Sequence, residues 1–436
     1  MLLYRLIFLP ALLLGLPYYA LRMWRRGGYR VGFGNRFGVM RNVPPKRKNV
    51  KRIWIQAVSV GELMAIGPLL KKLSADPAVE IILTTTTSTG LRVLKDKYAG
   101  LTAWHGMFPL DFWPCSARAW RILEPDLAVL MEGELWPEHI YQAHRLKVPV
   151  ILANARLSDR SYSRHLKARR LLRPYLSRLH SILAGSTSDQ DRFRRLGWIP
   201  EEDIILTGNL KLDVEQEAPP SEGERSNLLA ELGFTGNDIL LLLGSSTWPG
   251  EESALIRAYL NLRESFPGLR LLIVPRHAER KKELQALVRD FPVRFHFRSD
   301  SRQADGETDL YIADTTGELR MLTRFSDLLF VGKSLPPNSG GQTPVEAAAL
   351  GKPMIFGPDM SNFRDISRAL LDNEAACRID SGDALEPALR DLLEDPEARA
   401  RMGRQAYKFI ETSRGSTDRI LKHLMEALNR PGQTRP

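Results

Sequence analysis

The chain has 436 residues, 43% of them hydrophobic, ample for a large core and longer than a single domain usually runs, so two domains are expected. Its formal charge of +11 is concentrated in one place: residues 1–61 hold twelve of the 62 Lys and Arg and no Asp or Glu, while the remainder, with 50 basic and 51 acidic residues, is nearly neutral. That is not the basic stripe through the body of the fold that a nucleic-acid enzyme carries, and two distant cysteines, Cys115 and Cys377, are not a disulfide framework and fit a reducing compartment.

The first element is an apolar run of sixteen residues, Leu6 to Leu21, between Arg5 and Arg22. A spanning helix needs about 20 apolar residues, and Pro10 and Pro17 argue against a straight one. No small-x-small cleavage site follows, so the segment reads as an uncleaved anchor that spans the membrane or lies in its interface. Arg22, Arg25, Arg26 and Arg30 on its far side would hold the rest of the chain in the cytoplasm.

Strands are expected at 52–60, 79–87, 127–132, 148–155, 181–186 and 203–209, with segments of helical period between them. This βαβα order predicts a parallel sheet covered by helices on both faces, with ligands outside the carboxyl ends of its strands. After the first strand, Ser59 and Glu62 stand at capping-box spacing before a helix with apolar positions at Leu63, Ile66, Leu69, Leu70 and Leu73. Spacing alone makes Glu62 a cap. Gly61, which lets backbone approach a ligand, and the delivery of Glu62 to the strand end point instead to chemistry. Glu132 and Glu134 follow another strand, as a polar site or the first turn of a helix. Asn154, Arg156 and Ser158 follow the next, and Lys211 stands near the end of this half; each is a site residue or a solvated loop residue. Asp189 and Asp191 form a bare D-x-D pair at a helix start, where acidic residues are expected without a metal, and the eight histidines have no tight ligand spacing.

Residues 214–226, rich in Pro, Glu and Ser, read as a linker. The pattern then restarts, with strands expected at 238–246, 269–277, 309–315, 327–334 and 353–358, and a charged helical stretch from about Glu397 to Asn429. Gly244 to Thr247 lie between a strand and a helix, where backbone N–H groups can cradle an anion, although no Walker A lysine follows. Pro275 and Arg276 end a strand, and the Arg can grip a phosphate with its fork or pair with a surface carboxylate. Thr315 and Glu318 stand at capping-box spacing. In "NSGGQTPVEAAALGKP", Gly340 and Gly341 make a flexible turn, Thr343 can cap a helix beginning at Pro344, and Gly351 with Pro353 ends it. Glu346, in the first turn, can accept both hydroxyls of a ribose or merely complement the helix dipole.

The stretches "AVSVGE" (57–62), "MEGELWP" (131–137), "NARLSDRS" (154–161), "GNLKLD" (208–213), "VPRH" (274–277), "DTTGEL" (314–319), "FVGKSL" (330–335) and "ALGKPMIFGP" (349–358) occur in one order across nearly the whole chain. In that order the chain resembles the 3-deoxy-D-manno-octulosonic acid (Kdo) transferases of bacterial lipopolysaccharide synthesis. The resemblance implies an α/β GT-B glycosyltransferase: two facing Rossmann-like domains with parallel sheets, plus the N-terminal membrane anchor. Its divisions would be an anchor at 1–30, an acceptor-binding domain at 31–213, the linker at 214–226, and a CMP-sugar-binding domain with a C-terminal helix at 227–436.

The implied donor is CMP-Kdo and the implied acceptor a lipid A precursor, lipid IVA, at the inner face of the inner membrane, with no metal, no separate cofactor and no nucleic acid. Glu62 would be the general base, and Glu132 and Lys211 would stabilise the transition state. Pro275, Arg276, Thr316, Gly317, Glu318, Thr343, Pro344, Val345 and Glu346 would contact CMP. The chain departs from the family where it reads "GGQTPVE", with Gln342 and Thr343 in place of His and Asn, and at Gly133, where Thr is common. Two other readings stand beside this one: a GT-B transferase using another nucleotide sugar, and an inactive membrane-tethered CMP-sugar or lipid-binding protein.

Overall fold

The computed structural model describes residues 1–26, 31–214 and 217–429. The chain divides into two units, Met1–Asp213 with Arg414–Pro436, and Val214–Ser413.

The first unit is built on seven parallel strands: β1 (Lys51–Gln56), β2 (Val79–Thr85), β3 (Trp104–Met107), β4 (Leu127–Met131), β5 (Val150–Ala155), β6 (Ser181–Ala184) and β7 (Ile204–Leu206). Their order is β3-β2-β1-β4-β5-β6-β7. Ile53 and Ile55 of β1 join one apolar cluster with Leu63 and Leu69, while Trp54 between them joins another with Phe108 and Trp120. Alternate side chains thus feed opposite faces, each covered by helices, as a parallel sheet requires. The order reverses direction between β1 and β4, and that switch point opens a crevice at the strands' carboxyl ends.

The second unit repeats the plan with β8 (Leu240–Thr247), β9 (Leu269–Pro275), β10 (Phe295–Phe297), β11 (Leu310–Ile312), β12 (Leu328–Val331), β13 (Met354–Phe356) and β14 (Cys377–Arg378). The order β10-β11-β9-β8-β12-β13-β14 puts its switch point between β8 and β12.

Two expectations are corrected. The charged stretch 397–429 is two helices, Pro396–Ser413 and Ser416–Asn429, parted at Gly415 (φ +91°). The second of them packs Ile420, Leu424 and Leu428 into the core of the first unit, so the C-terminal helix belongs there and not to a domain running to 436. Burial of each such side chain contributes about 1.5–3 kcal/mol. The expected linker 214–226 also ends early. Glu222 begins a helix to Glu231, closed by a capping box of Ser221 and Glu224, and Glu215 and Gln216 lie outside the described residues. The first segment is one helix from Leu2 to Arg26, with Pro10 and Pro17 inside it and both rings on its exposed side.

That first helix is docked on its own unit. The Tyr4 hydroxyl donates to Asp111 at 2.5 Å, and Arg5 forks onto the fully buried Glu138 at 2.8 and 2.9 Å. Phe8 stacks on Phe112. Leu2, Leu6, Ile7, Leu13, Leu14 and Leu21 are left exposed. Among the described residues no helix is long and apolar enough to cross a membrane. The side chains of Arg22, Arg25 and Arg26, and the whole of Arg30, lie outside the described residues.

Candidate functional site

At the switch point of the first unit, β1 leads into a short helix, Val60–Ala65, with Ser59 as its N-cap. Ser59 Oγ accepts the Glu62 N–H at 3.2 Å and donates to Glu62 Oε1 at 2.9 Å, and Glu62 Oε2 accepts the Val58 N–H at 2.9 Å. The cap therefore exists, and it also fixes the carboxylate in place. A carboxylate offers about four acceptor positions, so these two bonds leave Glu62 able to receive a proton. Glu62 is 8% exposed. Burial, and then the charge of Glu132, push its pKa up, against the bonds from Val58 and Ser59 and the charge of Lys211.

The neighbouring strand β4 ends at Met131, and the chain turns there with Glu132 in the left-handed region, φ +53°. This turn aims the Glu132 carboxylate at Lys211, whose Nζ lies 2.7 Å from Oε1. Arg156 Nη1 is 3.9 Å and Asn154 Nδ2 3.5 Å from the same oxygen. Lys211 rides on a short 3₁₀ turn, Leu210–Leu212, just past β7. Three residues expected in catalysis are thus brought together within one unit: Glu132 and Lys211 as an ion pair, and Glu62 within electrostatic range of both.

The sequence reads Glu134 with Glu132 as a polar site or the first turn of a helix and gives it no catalytic role; the structure sets it within electrostatic range of Glu62 and Glu132. Burial, then the charge of Glu62, push the pKa of Glu134 up to about 7 against the nearby Trp136 indole, and among the described residues its buried Oε2 has no hydrogen-bond partner within bonding geometry. Its spacing from Glu132 was the only signal. Asp189 is structural: it accepts the Leu157 N–H at 2.8 Å and sits three residues past its N-cap, Ser186. Asp191 pairs with Arg194 at 3.8 Å.

In the second unit the expected donor residues also gather at strand ends. Pro275 closes β9, and the exposed Arg276 follows it, its guanidinium making no hydrogen bond or ion pair among the described residues. Thr316 and Gly317 are exposed just past β11, with Gly317 at φ +92°. Glu318 differs from expectation. It does not close a capping box with Thr315, because the helix Leu319–Phe325 has no side-chain cap. Instead both its oxygens are taken by the nearly buried Arg298, at 2.6 and 2.7 Å, and the Thr315 hydroxyl donates to one of them. Arg298 also donates to Glu231 at 2.9 Å. Glu318 thus braces the loop carrying Thr316 and Gly317, and nothing in the sequence marked Arg298 as its partner.

Past β12, Gly340 (φ +102°) and Gly341 (φ +68°) make the turn; a Cβ on Gly341 would meet the Met360 sulfur at 2.4 Å. The helix runs from Val345 to Ala349, one residue later than expected, with Pro344 preceding it and Thr343 Oγ1 accepting the Val345 N–H at 3.3 Å. Glu346 stands in its first turn, pushed up by burial and drawn down by Arg320. Beneath these loops lies a buried carboxylate that the sequence did not reveal. Glu251 accepts backbone N–H bonds from Trp248, Lys333, Ser334 and Leu335 at 2.8–3.1 Å, tying the loop after β8 to the loop after β12.

The chain matches the family model for 3-deoxy-D-manno-octulosonic-acid transferase (kdotransferase) over residues 31–214. It is 33% identical to the 3-deoxy-D-manno-octulosonic acid transferase of Haemophilus influenzae, across 92% of this chain and 92% of that one. Among solved structures it is similar to UDP-GlcNAc 2-epimerase from Neisseria meningitidis, at TM-score 0.57 and 15% identity, covering 87% of this chain and 99% of that one. It is also similar to Acinetobacter baumannii MurG, at TM-score 0.54 and 13% identity, covering 86% and 99%. These two likenesses show the fold alone, which is GT-B.

Proposed function

Because the chain belongs to the Kdo transferase family and transfers Kdo in lipopolysaccharide synthesis, we propose that it moves Kdo from CMP-Kdo to a sugar hydroxyl of a lipid A precursor, lipid IVA, with inversion and without a metal. Glu62 takes the proton of the acceptor hydroxyl as that oxygen bonds to the anomeric carbon of Kdo. The bond from that carbon to the CMP phosphate oxygen breaks, and CMP leaves with the electron pair. Lys211 and Glu132 meet the charge that develops, Lys211 supplying the positive group and Glu132 fixing its place. The second unit receives CMP: Arg276 with backbone N–H groups at Thr316 and Gly317 on phosphate, and the segment Thr343, Pro344, Val345 and Glu346 on the nucleoside, with Glu346 on the ribose hydroxyls. Glu318 contributes by holding its loop on Arg298.

The observation that carries this reading is the grouping, at one switch point, of a buried carboxylate held above its ordinary pKa with a Glu–Lys ion pair. A base needs a raised pKa to take a proton usefully near neutrality.

The helix Leu2–Arg26 supports the proposed place of work, the inner face of the inner membrane. Its docked first turns and its exposed apolar side chains suit a helix lying in the interface rather than crossing it. Mass spectrometry of a lipid A precursor incubated with CMP-Kdo, with and without EDTA, tests the reaction. A mass gain of Kdo that survives EDTA is expected. Failure with CMP-Kdo but success with another nucleotide sugar would overturn the donor, and loss in EDTA with rescue by magnesium would overturn metal independence.

A further inference from the structure

Asn154 ends β5 one residue before its last, with its side chain 1% exposed. Its Oδ1 accepts the Leu210 N–H at 3.0 Å, and its Nδ2 lies 3.5 Å from Glu132 Oε1. The amide orientation follows from its partners: flipped, it would set N–H against N–H on one side and oxygen against a carboxylate on the other. One buried amide therefore touches both halves of the Glu132–Lys211 pair. It reaches the carboxylate directly, and it reaches the lysine through the backbone of the turn that carries it.

Two further features show that this place is held with care. Glu132 and Asn154 both adopt left-handed backbone, φ +53° and +50°, which costs a non-glycine residue about 1 kcal/mol or more and which Asn tolerates best after Gly. The lysine turn is also tied from its other sides. Asn209 Oδ1 accepts the Lys211 N–H at 3.0 Å, and Asp213 accepts N–H bonds from Gly415 and Ser416 at 2.9 and 3.2 Å. Of these ties, only Asn154 reaches the carboxylate as well.

We propose that Asn154 is a positioning residue that sets Glu132 against Lys211 for the transfer step. This rests on reading that pair as catalytic. The bland alternative is that Asn154 merely satisfies the buried Leu210 N–H, as buried polar groups must be satisfied.

Asn154→Asp separates the two. Asp keeps the shape and the acceptor for Leu210, but it replaces the donor facing Glu132 with a second carboxylate oxygen. A purely structural role is served equally well by either residue. A positioning role is not, because Lys211 is then shared between two carboxylates that repel each other. We expect Asn154→Asp to lower kcat about 10- to 100-fold at neutral pH, the scale of a small misplacement of reacting groups, with the KM for CMP-Kdo little changed. The loss should shrink on acidification, as one of the two carboxylates takes up a proton and becomes a donor again. Lys211, Arg156, Glu62 and Glu134 face the same cluster and set where that recovery falls. Asn154→Ala, which removes both contacts, should lose kcat similarly with no recovery in acid.

Urea midpoints measured alongside report folding. If Asn154→Asp keeps kcat within about twofold of wild type across the pH range, the positioning role is overturned. Lys211→Ala is assayed in parallel. If it keeps its turnover, the catalytic reading of the pair fails, and the proposal falls with it; if it loses turnover while Asn154→Asp does not, only the proposal fails.

Discussion

In the first unit the charged groups at the switch point already have partners: Glu132 pairs with Lys211, and Glu62 accepts from the Ser59 hydroxyl and the Val58 N–H. In the second, the Arg276 guanidinium is exposed and meets no partner among the described residues, while the buried Glu251 and the half-buried Arg298–Glu318 pair hold backbone loops instead. The difference follows from the roles proposed for each set. A general base needs a fixed place and a raised proton affinity before substrate arrives, and the burial of Glu62 beside Glu132 supplies both. The phosphate grip proposed for Arg276 needs an empty guanidinium, and the unit's other charges preorganise the loops after β8, β11 and β12 instead.

The comparison breaks first at Glu62. Glu62→Gln keeps the size of the side chain and its reach to Ser59 and removes the basicity. Turnover should fall about 100- to 10,000-fold, with CMP binding, measured by calorimetry, unchanged. A variant that keeps more than about a tenth of wild-type turnover makes Glu62 a cap alone. The mirror experiment in the second unit is Glu251→Ala. It leaves four N–H groups without their acceptor, and should cost about 3 kcal/mol or more in stability by urea unfolding. CMP binding should weaken with it, because the loops after β8 and β12 lose their tie. Unchanged stability would mean that the loops hold without it.

Arg276→Ala sharpens the contrast from the side of the ligand. An exposed guanidinium with no partner among the described residues should matter little to stability and much to the donor. We expect about a 10- to 100-fold weaker affinity for CMP, the worth of a charged hydrogen bond, with the unfolding midpoint unmoved. An unchanged CMP affinity would remove Arg276 from the donor site.

Most of this architecture was legible in the sequence because its central strands are buried on both faces, and so read as continuous apolar runs. The strands that escaped, β3, β10 and β14, all lie at sheet edges. "WHGM" and "FHF" have no such run, and β14 is two residues long. Glu62, Glu132 and Lys211 were legible as polar residues at strand ends, but their mutual approach was not. It depends on a left-handed turn at Glu132 and on β7 lying in the same sheet as β4, neither of which local spacing encodes. Arg298 and Glu251 were invisible for the same reason: each meets partners tens of residues away. The C-terminal helix was misplaced because an amphipathic pattern records that a face is buried, not against which sheet.

Glu134 offers the smallest effect and the most direct measure of what the first unit gives up for its chemistry. Its carboxyl is raised from 4.5 to about 7 by burial and then by the charge of Glu62. A raised acid binds its proton more tightly in the folded chain than in the unfolded one. Below about pH 4.5 both states are protonated and Glu134 costs nothing. Between 4.5 and about 7 the unfolded state has lost the proton while the folded state keeps it, so stability falls as pH rises. Above that range the full cost of a buried anion among other anions is present. Glu134→Gln removes this titration. Its stability relative to wild type should therefore rise between pH 5 and pH 8, by about 1–3 kcal/mol once partial solvent exposure is allowed for. Urea unfolding of both proteins at the two pH values measures it. A difference that stays constant, or that favours wild type at the higher pH, would mean that the carboxyl is not held against its charge and that the first unit bears no such cost.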